Sequence, residues 1–406
     1  MMKLNMQKYY FKFHFNYIAL AFSFFVYFST FSQNLNSNST GSFIYYPISG
    51  LSSVKVFYHI PQGDITLMPI IFSFHGASRN ADDYRDYWIN MSNSNKFIVL
   101  APEFSSQKYP GLGDNYLMGN VFDDGDNPKE NEFNEFSEWT FSVIDDIFDF
   151  VVNQVSGTQE RYNAWGHSGG AQFLHRFAFF VPNSKLNIGV CSNAGWYTVP
   201  ESNIDFPYGV GLPFTSNEIN LPDFILQNYP SYQISLNKFF QKELVIHLGA
   251  ADNDSNSSGL RHNSVVDSQQ GNNRYDRGNY FFSTSNSISN QLLLPFNWIK
   301  SEIDGVGHQA QLMANDALKF IIKESLTSDH KIEELDFVIY PNPAETKINF
   351  IGLISPVKVT VFDMLGKRQL QSEVICSLDI SSLKPGLYMV VTKNENNNKV
   401  FEFLKK

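Results

Sequence analysis

Gly166-His167-Ser168-Gly169-Gly170 lies between the apolar run Tyr162-Asn163-Ala164-Trp165 and a helix-like stretch from Ala171 to Phe180. The pentapeptide reads G-x-S-x-G at a strand-to-helix turn. Only glycines let the two backbones pass at so sharp a turn, which lifts the serine hydroxyl clear of the sheet. The amide of Gly169, with the helix N-terminus, then points at the place where negative charge develops in acyl transfer. A glycine-rich loop can carry the same five residues by chance; the strand and helix on either side set this one apart. A serine so placed requires a base and an orienting acid, in the chain order serine, acid, histidine.

Both follow downstream. Leu244-Val245-Ile246-His247-Leu248 is a short strand-type run ending in Gly249-Ala250-Ala251-Asp252, a carboxylate just past a strand end. Asp254 is the alternative acid, since a loop does not dictate which carboxylate turns inward; the strand-end position favours Asp252. Ile303-Asp304-Gly305-Val306-Gly307-His308 sets a histidine in a glycine-flanked loop before an apolar helix from Leu312 to Ile322. The other histidines fit the base less well. His14 is in the leader, His59 and His247 lie within strand-like runs, and His175 is on the helix after the serine. His330 is in a linker, His262 follows the acid too closely, and His167 and His75 flank other parts of the site, His167 facing away from a base's position. Ser168, Asp252 and His308 are therefore the expected catalytic triad.

Upstream, Met68 to Phe74 is a buried-strand run followed directly by His75-Gly76-Ala77-Ser78. The loop at this point supplies a second oxyanion amide in such sheets, so Ala77 joins Gly169 as the expected pair of donors. These elements imply a doubly wound, mostly parallel α/β sheet.

The segments Phe74-His75-Gly76, Ala101-Pro102-Glu103-Phe104, Gly166 to Gly170, Gly249 to Asp252 and Gly305 to His308 resemble secreted α/β-hydrolases of the esterase type, similar to polyhydroxyalkanoate depolymerases and feruloyl esterases. The resemblance spans about residues 43 to 323. It implies hydrolysis of a carboxylic ester, on a small molecule or a polymer, through an acyl-enzyme on Ser168 and without a cofactor. The chain departs at Ala77, where polyester depolymerases often carry cysteine. A serine peptidase of the same fold is the rival within the class, although nothing resembles an N-terminal propeller. A non-catalytic surface binding protein on a hydrolase scaffold is the rival from another class.

Other segments have ordinary readings. Asp123-Asp124-Gly125-Asp126-Asn127 lacks the spaced ligands and terminal glutamate of a calcium loop, so no metal is expected. Trp196 and Tyr197, past the strand after the serine helix, are candidate walls of a substrate pocket. Arg274 and Arg277, on a helix-like stretch between acid and base, could meet an anionic substrate such as a feruloyl or sugar-acid ester, but pairing with surface carboxylates is the expectation. Ser105 to Asn134, long and polar, is a candidate rim or lid, and Glu138 to Val155 a helix burying Trp139, Val143, Ile147 and Val151.

The 406 residues suffice for one large core and a small module, and a formal net charge of -10 argues against nucleic acid or an anionic membrane as partner. Lys3, Lys8 and Lys12 precede an apolar stretch from Tyr17 to Phe28, too short to span a bilayer comfortably. Residues 1–32 therefore read as a signal peptide with mature start at Gln33, residues 33–42 as a disordered lead, and 43–324 as the catalytic domain. No further hydrophobic span follows, so no stable membrane span is expected in the mature form. Two cysteines, Cys191 and Cys376, make no disulfide framework.

After a polar linker at 325–334, residues 335–406 alternate as short strands: Phe337 to Tyr340, Lys347 to Phe350, Val357 to Phe362, Tyr388 to Thr392 and Val400 to Leu404. That is a small all-β sandwich. Tyr340-Pro341-Asn342-Pro343-Ala344, Val361 to Lys367, Leu383-Lys384-Pro385-Gly386-Leu387-Tyr388 and Lys405-Lys406 closely resemble the C-terminal sorting domain of type IX secretion in Bacteroidetes. The resemblance implies export through the periplasm, the type IX machinery as partner, loss of the tail, and a secreted or cell-surface product.

Overall fold

The structure, a computed structural model, describes residues 35–215, 219–232, 234–322, 338–351, 357–364, 366–374, 377–393 and 398–406. The chain divides into two compact units, Met1–Lys323 and Glu324–Lys406. The expected signal peptide, the linker at 325–334 and Cys376 lie outside the described residues.

The first unit is built on strands β1 (Ser39–Tyr45), β2 (Val54–Ile60), β3 (Ile70–Phe74), β4 (Ile98–Glu103), β5 (Tyr162–His167), β6 (Leu186–Ser192), β7 (Glu243–Gly249) and β8 (Ile299–Ile303). They form one sheet in the order β1-β2-β4-β3-β5-β6-β7-β8. Only β2 runs against the rest: it pairs antiparallel with β1 on one side and β4 on the other, and β3 to β8 are mutually parallel. The helices are α1 (Ala81–Asp86), α2 (Ile89–Asn95), α3 (Val143–Gln154), α4 (Gly169–Phe180), α5 (Leu221–Asn228), α6 (Leu236–Gln241), α7 (Ser264–Gln270), α8 (Arg274–Gln291) and α9 (Ala310–Ile321).

Alternation along the strands makes two cores. Ile70, Phe72 and Phe74 of β3 pack with α3 and α4, whereas Ile71 packs with Tyr84, Trp88, Met313 and Ala317 on the opposite face. Burial on both faces is why the central strands read as unbroken apolar runs.

Three expectations change. Residues 35–42 are ordered: Leu35 is buried in the main core and β1 pairs with β2 along seven residues. Ladder hydrogen bonds there outweigh the low strand propensity of Gly41 and the polar character of its neighbours. The stretch Glu138 to Val155 is not one helix, since single 3-10 turns at Phe136–Glu138 and Thr140–Ser142 precede α3. Trp139, Val143, Ile147 and Val151 are all buried as expected. Strand β8 was invisible because it is the sheet's edge and mostly exposed.

The second unit holds β9 (Val338–Tyr340), β10 (Lys347–Ile351), β11 (Val357–Asp363), β12 (Arg368–Val374), β13 (Ser377–Asp379), β14 (Gly386–Lys393) and β15 (Asn398–Lys405). They make two antiparallel sheets, β13-β10-β9 and β12-β11-β14-β15, around Ile348, Val359, Val361, Val390 and Phe403. Strand β12 escapes sequence reading for the same reason as β8: it is a polar, exposed edge strand. Among the described residues no helix is long and apolar enough to cross a membrane.

Candidate active site

Ser168 follows β5 directly and caps the N-terminus of α4 with φ 56° and ψ -115°. A non-glycine residue at positive φ costs about 1–3 kcal/mol unless its surroundings hold it there. The surroundings do. The Ser168 N–H donates to the Ser192 carbonyl at 2.9 Å. A Cβ on Gly170 would stand 2.6 Å from the Phe74 carbonyl carbon and 2.9 Å from the His75 oxygen, and one on Gly166 would stand 2.8 Å from the Ala171 nitrogen. Helix α4 and strand β3 can close on the serine only because these residues lack side chains.

The two candidate oxyanion donors are brought together. A Cβ on Gly169 would lie 3.1 Å from the Ala77 nitrogen, so the two backbones adjoin. Gly169 opens α4 and has no carbonyl one turn behind it to bond. His75 shapes this loop. Its Nδ1–H donates to Gly76 O at 2.9 Å, its Nε2 accepts from the Phe104 N–H at 3.1 Å, and Tyr116 donates to its carbonyl at 2.7 Å. Burial pushes the His75 pKa down to about 4, so the ring is a neutral structural strut.

His247 is a second strut. Trp165 Nε1–H donates to Ser192 Oγ at 2.9 Å, whose hydrogen reaches His247 Nδ1 at 2.8 Å, and His247 Nε2–H reaches Asp316 at 3.0 Å. Burial holds its pKa at about 4 despite Asp316. Both rings are neutral in the folded chain yet take a proton near 6.5 when unfolded. Their contribution to stability is therefore full above pH 6.5 and is lost as the pH falls towards about 4, by a few kcal/mol in all. Thermal melting between pH 7 and pH 4 should show this loss, and His247→Gln should shrink it; a flat melting temperature across the window would contradict the assignment.

The expected base and acid are hydrogen-bonded to one another. His308 Nδ1–H donates to Asp252 Oδ2 at 2.6 Å, the tautomer a carboxylate partner demands. Asp252 is only 4% exposed, and its Oδ1 faces Arg274 at 3.5 Å. The Arg274 guanidinium is itself tied to Ser257 Oγ at 2.6 Å and Ser258 O at 3.1 Å. Asp254 is exposed and accepts the Asn256 N–H at 2.9 Å, closing a turn. The geometry thus separates the two aspartates that sequence left open.

His167 corrects one expectation. Its ring does not turn away from the base but packs on His308, centroids 4.5 Å apart, with Tyr84 Oη 3.2 Å from its Nδ1. Burial and the neighbouring His308 keep the His167 pKa well below the usual value. No spacing rule reveals this contact, because it joins the end of β5 to the loop after β8.

Trp196 and Tyr197 are also placed differently. Both are buried, at 2% and 0% exposure, and present no open wall. The Arg176 and Arg261 guanidiniums lie over the Trp196 ring at 4.0 and 4.7 Å, while Tyr197 stacks on Phe281 at 4.4 Å. The chain after β6 runs beneath α7 and α8, so aromatic bulk there fills the interior. Arg277 is buried on Asp267 at 2.7 Å. Of the segment Ser105 to Asn134, Tyr116, Val121 and Phe122 sink into the main core. Asp126 of that segment accepts from Arg261 Nη2 at 3.1 Å. Among the described residues no His, Cys, Asp and Glu side chains gather as a metal site, and Cys191 is a buried free thiol.

Comparison with solved structures places this arrangement. Poly(aspartic acid) hydrolase-1 from Sphingomonas sp. KT-1 is 30% identical, with a TM-score of 0.59, over 70% of this chain and 99% of that one. The chain belongs to the α/β-hydrolase family. This hydrolase also shares its fold with LpqC, a poly(3-hydroxybutyrate) depolymerase from Bordetella parapertussis, at 24% identity and a TM-score of 0.60 over 71% and 91% of the two chains. No curated protein sequence matches it. Residues 338–406 match the secretion system C-terminal sorting domain. The hydrolase therefore carries a type IX sorting domain and is secreted or held at the cell surface.

Proposed function

We propose that this α/β-hydrolase is a serine esterase. Ser168 attacks a carboxylic ester, His308 Nε2 takes its proton, and Asp252 holds the imidazole and balances its positive charge. The amides of Gly169 and Ala77 receive the oxyanion, each donor lowering the barrier by about 3–4 kcal/mol. The alcohol leaves with the proton from His308, and water activated by the same ring releases the acid from the acyl-enzyme. The observation that carries the reading is the 2.6 Å bond between His308 and the buried Asp252, at the same C-terminal end of the sheet as a strained serine whose side chain makes no capping bond. Hydrolysis of short p-nitrophenyl esters tests it, with Ser168→Ala as the control. Rates indistinguishable between the two proteins would overturn it.

The relative's name supports a second reading, in which the same residues cleave amide bonds of an acidic polymer. Poly(aspartic acid) and poly(3-hydroxybutyrate), offered in parallel, separate an amide-cleaving from an ester-cleaving enzyme by whether new amines appear from the first or soluble hydroxy acid from the second. A scaffold that only binds would cleave none of them. In either reading residues 1–32 act as the export signal, with Gln33 as the mature start, and the tail is removed after passage through the type IX machinery.

The choice of acid gives a sharper test. Asp252→Asn should lower kcat by about 10,000-fold, because the amide stabilises the wrong imidazole tautomer and no longer offsets its charge. Asp254→Asn should leave kcat within about twofold, since its carboxylate only closes a turn.

A further inference from the structure

We propose that Asn193 is the positioning residue that holds the acid and base loops in register with the nucleophile. The proposal rests on the triad reading above. Asn193 is the first residue beyond β6, 1% exposed, with φ 50°. Its side chain bonds both loops at once. Oδ1 accepts the Gly249 N–H at 2.7 Å, where the acid loop leaves β7, and Nδ2 donates to the Gly307 carbonyl at 2.9 Å, the residue before His308. Its own N–H donates to the His247 carbonyl at 3.0 Å. The residue before it, Ser192, accepts the Ser168 N–H at 2.9 Å. Two consecutive residues thus touch all three segments that carry the triad.

The residue type follows from these demands. One planar group must offer an acceptor to an N–H and a donor to a carbonyl, which fixes the amide's orientation without ambiguity. The backbone must also sit in the left-handed region, which asparagine tolerates better than most residues. Aspartate of the same shape lacks the donor, and alanine lacks both groups. The two loops do touch without it, through Ala251 N–H to Val306 O at 2.9 Å and Ala250 N–H to Ile303 O at 3.0 Å. Those bonds link the loops to each other; the Asn193 amide is what ties the pair to the strand beside Ser168.

The test compares Asn193→Ala and Asn193→Asp with the parent and Ser168→Ala on one p-nitrophenyl ester. Misplacing the base by about 1 Å costs up to about 100-fold, so kcat should fall about 10- to 100-fold with KM changed less than about threefold. The downfield proton resonance of the His308 Nδ1–H to Asp252 bond should weaken or shift in both variants at temperatures where they remain folded. A purely structural role would lower the melting temperature but leave kcat and that resonance as in the parent, and this result overturns the proposal. Should Asn193→Ala not fold, Asn193→Gly decides it, because glycine adopts φ 50° without strain and removes both amide bonds without burying a charge. Activity surviving in Ser168→Ala would instead overturn the triad reading, a different failure.

Discussion

Ser168→Ala should lower kcat on a p-nitrophenyl ester by about 10,000-fold or more while leaving the protein folded. The two halves of this expectation have separate causes. The hydroxyl is the proposed attacking group, and without it only binding and the oxyanion amides remain to aid water, a residual rate seen when a serine nucleophile is removed. Yet the side chain makes no capping bond at the start of α4, although it stands at a helix N-terminus where serine ordinarily makes one. It is held at φ 56° for no structural gain. A strained backbone that presents a hydroxyl with no capping bond supports the catalytic reading. Circular dichroism and melting of the variant, beside its kinetics, check both halves; an active variant, or an inactive one that has unfolded, would each contradict the argument.

Gly170→Ala should be among the most damaging glycine-to-alanine changes in the described residues. The added carbon would stand 2.6 Å from the Phe74 carbonyl carbon and 2.9 Å from the His75 oxygen, and both are backbone atoms of the strand and loop that lead to Ala77, the candidate oxyanion donor. Neither can yield without moving β3 or tilting α4, so the loss should exceed about 4 kcal/mol and the chain should fail to accumulate in soluble form. Gly305→Ala is the contrast. Gly305 has φ +72° but nothing within 4 Å of a Cβ, so only the backbone conformation resists and the loss should stay near about 1–2 kcal/mol. Denaturant melts of the two variants compare collision with conformational strain directly. Equal losses would mean that the elbow is looser than its geometry requires.

Much of the catalytic unit was legible because its constraints are local. Strands buried on both faces are largely apolar, their few polar residues being bonded inside, so β3 and β7 announce themselves, and β5 does so together with the glycines that follow it. The elbow must carry glycine where backbones cross, so Gly166 and Gly170 announce the turn. Edge strands obey no such rule, and β8 and β12, half in water, passed unread. The lead at residues 35–42 was misread for a related reason: its polar composition says nothing of the partner strand that orders it.

By itself, the sequence determined the elbow, the proposed triad residues, the two candidate oxyanion amides and the sorting module, because each of these is signalled by residue types in its own short segment. Tertiary structure alone decided that Asp252 rather than Asp254 meets His308, and that His167 lies against the base. It also decided that Trp196 and Tyr197 are interior and that one asparagine amide spans two loops. Each of these is a meeting of side chains from different strand ends. Their distances are set by sheet order, twist and the path of loops, which no local pattern of residues encodes.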